Sequence, residues 1–164
     1  MLVQCRALFT GEMSELPIEA ALDLSQVEFQ GQQPFTKPVR VVGRIAARAG
    51  VVELSARAIF EYSGQCDRCL APFTRAYDLP LEHTLVTTLE NEENDDYILL
   101  ENYKLDLDDL VLSDILLELP YKSLCREDCR GLCPHCGKDL NDGLCGCRSQ
   151  SVDPRLEVLR QLLN

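Results

Sequence analysis

The sequence predicts an α+β protein: an antiparallel, β-rich body, then a helix, a cysteine-rich loop and a short terminal helix. Three observations carry this. Two runs of alternating apolar residues flank a two-residue turn at Ala49-Gly50, a leucine-rich segment runs up to Pro120, and six cysteines crowd into residues 125–147. With 164 residues, 46% apolar and 26% charged, the chain has material for one ordinary core and a small satellite module. We divide it into an α+β body, residues 1–119, and a cysteine-rich module with a terminal helix, residues 120–164.

The elements follow in chain order. Met1 to Phe9 is mildly apolar, but Gln4 and Arg6 interrupt it and no small-residue cleavage site follows, so a secretory signal is not expected. No apolar run reaches the length of a membrane span, and the expected location is the cytoplasm. Val39 to Arg48 and Val51 to Tyr62 then alternate as the two arms of a β-hairpin. With Arg48 opposite Val51, one face holds Val41, Ile45, Ala47, Val52, Leu54, Ala58 and Phe60, and the other holds Arg40, Arg44, Arg48 and Arg57. Cys66-Asp67-Arg68-Cys69 comes next, followed by an extended stretch from Phe73 to Leu89 with a break at Pro80.

Glu90 to Asp96 reads as a solvated acidic loop. Asp106 is placed to cap a helix over Leu107 to Leu119, with Asp108 and Asp109 in its first turn and Pro120 at its end. Leu107, Leu110, Val111, Leu112, Ile115, Leu116, Leu117 and Leu119 nearly encircle that helix, which marks it as a core element. Near the end, Asp153-Pro154 supplies a cap and a first-turn proline, and Leu156, Leu159 and Leu163 recur at helical spacing.

Cys125, Cys129, Cys133, Cys136, Cys145 and Cys147 are the strongest chemical signal. Cys133-Pro134-His135-Cys136-Gly137 is a zinc-knuckle sequence, a turn that aims two thiolates at one ion, with His135 as a spacer. In a reducing compartment such a cluster points to metal rather than disulfides, and zinc is the default for four thiolates, although thiolate spacing does not exclude iron. Arg126, Arg130, Lys138 and Arg148 are interleaved so as to offset the thiolate charge. Cys66 and Cys69 supply half a tetrahedral site. Either the eight cysteines hold two ions, or the terminal cluster holds one ion with two spare thiols and the Cys66/Cys69 pair stands apart.

Charge is distributed unevenly around a net −11. Acidic residues from Asp78 to Glu118 face only Lys104, whereas Lys37, Arg40, Arg44, Arg48, Arg57, Arg68 and Arg75 outnumber the acids between Lys37 and Tyr77. No glycine-rich phosphate loop is present, and the only histidines, His83 and His135, have no evident nucleophile beside them. Neither an enzyme nor a small-molecule substrate is expected.

The chain resembles the YceD family of large-subunit ribosomal RNA accumulation proteins. The resemblance rests on Cys66-Asp67-Arg68-Cys69 with Pro72-Phe73, on the stretch Leu124 to Gly137, on Cys145-Gly146-Cys147, and on Asp153-Pro154-Arg155-Leu156. It implies a non-enzymatic cytoplasmic factor that supports large-subunit ribosomal RNA accumulation and ribosome assembly. Some members lack the terminal cysteine cluster, so the resemblance puts the shared activity nearer Cys66 to Phe73. Two kinds of partner are compatible with this. Arg40, Arg44, Arg48, Arg57 and Arg68 are candidates for contact with large-subunit ribosomal RNA, and the acidic stretch is suited to a basic large-subunit ribosomal protein. The alternative is a thiol-redox or metal-dependent regulatory protein that uses Cys66 and Cys69.

Overall fold

A computed structural model describes residues 1–88 and 97–147. The expected acidic loop at Glu90 to Asp96, Arg148 and the expected terminal helix lie outside these residues. The described elements are β1 (Leu2–Gln4), α1 (Arg6–Phe9), β2 (Glu15–Leu22), β3 (Val39–Arg48), β4 (Val51–Gln65), β5 (Pro72–Val86), β6 (Tyr97–Leu99), β7 (Lys104–Asp106), α2 (Leu107–Glu118) and a 3-10 turn, Leu140–Asp142. The molecule is therefore mostly β. Strands β2-β3-β4-β5-β6 form one sheet in sequence order, antiparallel except for the parallel pair β5-β6, while β1 and β7 form a small antiparallel pair.

The hairpin forms in the expected register, with Arg48 opposite Val51. Ala49 and Gly50 both have positive φ, 51° and 84°, as the tight turns that match strand twist require. Val41, Ile45, Val52, Leu54, Ala58 and Phe60 are buried and Ala47 is half-buried, whereas Arg40, Arg44, Arg48 and Arg57 lie outside. β5 departs from expectation by running unbroken through Pro80, which pairs with Arg57. β6 covers β5 only from Thr84 to Val86, so at Pro80 the strand is an edge where the missing N–H is tolerated.

Helix α2 begins as expected, with the Asp106 side chain accepting from the Asp108 N–H, and stops at Glu118 ahead of Pro120. Its core side holds Leu107, Leu110, Val111 and Ile115. Leucine does not line the core all round, because Leu117 is 85% exposed. His83 Nε2 lies 2.6 Å from Asp114 Oδ2 and fastens α2 to β5.

The arginine face is not an uncompensated basic surface. β2 and β5 carry carboxylates onto it: Glu19 lies 3.4 Å from Arg40, Glu15 lies 3.7 Å from Arg44, and Asp78 pairs with Arg57. Each exposed pair contributes little to stability, but together they offset the charge of Arg40, Arg44 and Arg57, three of the four arginines on this face.

An aromatic chain carries the core toward the cysteine module. Phe35 meets Phe60 edge-on, Phe60 stacks on Tyr77 at 5.1 Å, and Tyr62 touches Tyr77, Phe29 and Phe73. The buried Tyr62 hydroxyl then meets Ser123 Oγ at 3.0 Å, just ahead of Cys125.

Candidate metal centre

Eight cysteines form two groups of four: Cys66, Cys69, Cys125 and Cys129 make a first cage, and Cys133, Cys136, Cys145 and Cys147 make a second. Within each cage the four sulfurs lie inside 4.8 Å of one another. A tetrahedron with metal–sulfur bonds of about 2.3 Å has sulfur–sulfur edges of about 3.8 Å. In the first cage, Cys66 and Cys129 are 3.7 Å apart, as are Cys69 and Cys125; in the second, Cys133 and Cys145 are 3.3 Å apart. The donor set therefore fits a thiophilic cation in each cage. The six terminal cysteines do not share one site. The pair nearest the body joins Cys66 and Cys69 across the division between residues 119 and 120, and the other four close on themselves.

Each cage is founded on a knuckle of the same construction. In the first, the Leu70 N–H donates to the Cys66 carbonyl at 2.8 Å and the Cys66 N–H to the Ala71 carbonyl at 2.9 Å. In the second, Gly137 donates to Cys133 at 2.9 Å and Cys133 to Lys138 at 2.8 Å. Both turns need a left-handed residue one place past the second cysteine: Gly137 has φ 70°, while Leu70 has φ 61° and is 60% exposed. Glycine signals this shape in the sequence; leucine does not.

The two residues inside the first knuckle fasten the incoming segment, Ser123 to Cys129. Asp67 Oδ2 accepts the Ser123 N–H at 2.7 Å, and Arg68 Nη1 donates to the Cys129 carbonyl at 2.8 Å. Arg75 adds a bond to the Leu124 carbonyl at 3.1 Å. Gly131 passes so close to the knuckle that a Cβ there would lie 2.9 Å from the Arg68 carbonyl oxygen, and the next residue, Leu132, donates its N–H to that oxygen at 3.1 Å. Of the sequence candidates, Arg68 thus sits at the first cage, away from Arg40, Arg44, Arg48 and Arg57 on the sheet. Ser123 and Asn141 carry no signature in the sequence, and only the fold places them at the cages.

The thiols within each cage differ in how readily they ionise. Burial acts to raise the Cys66 thiol, but the backbone N–H groups of Cys125, Cys69 and Arg68 hold it down to about 6. Its neighbour Cys125 is pushed up to about 12, by burial first and then by the adjacent thiols. In the second cage the N–H groups of Cys136 and His135 bring Cys133 down to about 6, and Cys147 is pushed up to about 12, by Cys136 and Cys145 first. Lowered and raised thiols stand side by side in each cage, and a cation at the centre would favour ionisation of all four. The cages differ in exposure: Cys66, Cys69 and Cys129 are buried, whereas Cys136 and Cys147 are exposed.

Residues 54–163 match the family described as "Large ribosomal RNA subunit accumulation protein YceD". An uncharacterized protein of Mycobacterium tuberculosis is 34% identical over 104 residues, which cover 61% of this chain and 50% of the relative. The uncharacterized Bacillus subtilis protein YlbN is 29% identical over 128 residues, covering 77% of this chain and 74% of the relative. The chain thus spans about half the length of the Mycobacterium tuberculosis and Mycobacterium bovis relatives it matches. No solved structure matches.

Proposed function

The chain belongs to the YceD family of large ribosomal RNA subunit accumulation proteins, and from that premise we propose that it supports large-subunit assembly in the cytoplasm as a binding factor, not as an enzyme. Its partner in this reading is a basic ribosomal protein of the large subunit. One observation carries the choice: three of the four sheet arginines, Arg40, Arg44 and Arg57, meet carboxylates at Glu19, Glu15 and Asp78, on a chain whose net charge is −11. At long range such a protein repels nucleic acid and attracts cationic chains. Zinc fits both cages, and two tetrathiolate zinc centres would each add about two further negative charges. An ion in the first cage would close the cysteine module onto the β4–β5 turn, one in the second would tie the module to itself, and neither would supply a reaction.

A second reading, direct contact with large-subunit ribosomal RNA, has a specific observation in its favour. Arg68 and Arg75 spend their hydrogen bonds on carbonyls and have no carboxylate partner among the described residues, and the nearby Tyr121 is 89% exposed next to Lys122. An exposed aromatic ring beside cationic side chains can stack a single-stranded base. Capture of large-subunit ribosomal proteins by the tagged chain, run beside filter binding of large-subunit RNA over a salt series, separates the two. The first reading expects a basic ribosomal protein to be retained and RNA to bind no better than to an acidic control protein. RNA binding that steepens at low salt and is lost in Tyr121→Ala/Lys122→Glu, while surviving Arg44→Glu/Arg57→Glu, overturns it in favour of the second. Function that survives exchange of both Cys66 and Cys69 for serine would eliminate the thiol-redox alternative.

A further inference from the structure

We propose that Asn141, although it sits in the loop of the second cage, acts as a positioning residue for the first, so that metal in either cage tightens metal in the other. The inference rests on reading both cages as metal sites. Asn141 lies in the 3-10 turn between Cys136 and Cys145, a loop whose two flanks the second cage ties together. Its Nδ2 donates to Cys129 Sγ at 3.4 Å, and its Oδ1 accepts the Arg130 N–H at 2.9 Å. Asp139 holds it from behind, accepting the Asn141 backbone N–H at 2.8 Å and Nδ2 at 2.7 Å. The loop is folded back onto the segment joining the cages by the Leu140 N–H to Gly131 carbonyl bond at 2.9 Å and the antiparallel bridge from Leu132 to Asp139.

The amide reaches Cys129 only while this loop keeps its shape. A donor aimed at a ligating sulfur orients the ligand, so anything that opens the second cage withdraws support from the first. The coupling is reciprocal as a free energy, but the exposed Cys136 and Cys147 make the second cage the one that exchanges with solvent. The state of that exposed cage is thereby passed to the buried one, and through Cys129 to Arg68 and the knuckle.

Cobalt(II) titration of the full chain, read by thiolate charge-transfer absorption in competition with a chromogenic chelator, tests this. Cys136→Ser/Cys147→Ser disables the second cage and is expected to weaken cobalt binding in the first by about 10–100-fold, and Asn141→Ala by a similar factor. Combining the two is expected to add little, because both remove the same contact. First-cage affinity within twofold of the parent in either variant overturns the inference, as does full additivity. Circular dichroism of the sheet checks that each variant folds. A parent protein that takes up no cobalt or zinc fails differently, since it removes the metal reading and this inference together.

Discussion

Asp67 and Ser123 hold each other through two hydrogen bonds: the Ser123 N–H donates to Asp67 Oδ2 at 2.7 Å, and the Asp67 N–H donates to the Ser123 carbonyl at 2.8 Å. Ser123 is buried, and its hydroxyl continues to Tyr62. This joint links a knuckle between two strands to a segment 56 residues away in sequence, and so lets Cys125 and Cys129 meet Cys66 and Cys69. Asp67→Ala leaves the Ser123 N–H without its partner, and the expected loss of stability is about 1–3 kcal/mol in urea unfolding. Asp67→Asn keeps an acceptor and should recover most of it. Equal stability of the alanine variant and the parent would remove the joint from the account.

Gly131 and Gly137 share a left-handed backbone, with φ 71° and 70°, but differ in their surroundings. Alanine at 137 meets open space and should lose only the conformational term, about 1–2 kcal/mol. At 131 its methyl would also press on the Arg68 carbonyl oxygen. Gly131→Ala is expected to be the more damaging, measured both by denaturant midpoint and by metal retention in the first cage. The reverse order would contradict the close approach.

Leu70 takes the place that glycine holds in the other knuckle. Because the side chain is 60% exposed, little burial is lost on removing it. Leu70→Gly should leave stability unchanged or raise it by up to about 1 kcal/mol, the relief of left-handed strain being offset in part by glycine's greater freedom when unfolded. A clear loss in thermal unfolding would mean that the leucine side chain makes a stabilising contact despite its exposure.

Gly43 serves the sheet rather than the cages. A Cβ there would lie 2.3 Å from both Ala56 Cα and the Ser55 carbonyl oxygen. No rotamer change can relieve a backbone overlap, so Gly43→Ala should part β3 from β4 and lower the unfolding midpoint sharply. Metal content per folded molecule should stay at the parent value.

Metal removal should act locally. With two zinc ions per chain as the expected stoichiometry by elemental analysis, chelation should raise amide exchange from Ser123 to Cys147 while β3 and β4 stay protected. The body has its own buried cluster, including Val41, Ile45, Leu54 and Ile115, and does not depend on the cages for its core. Collapse of protection across the whole sheet would show the two parts to be one cooperative unit.

The sequence by itself determined what depends on near neighbours. Alternation about Ala49-Gly50 defined the hairpin and its register, Asp106 and Pro120 bounded α2, and the spacing of the cysteines marked a thiolate-rich module. Such features follow from the two-residue period of a strand, the capping of a helix and the reach of a tight turn, all set within a few residues. Tertiary structure decided the partition of eight sulfurs into two cages, because spacing counts ligands but cannot say which distant pair completes a knuckle. It also decided the charge of the arginine face, where Glu15, Glu19 and Asp78 arrive from neighbouring strands, and the placing of Ser123 and Asn141, whose roles exist only across folded loops. In each case the deciding contact joins segments that sequence keeps apart. Short-range geometry names the parts, and long-range pairing selects which of them act together.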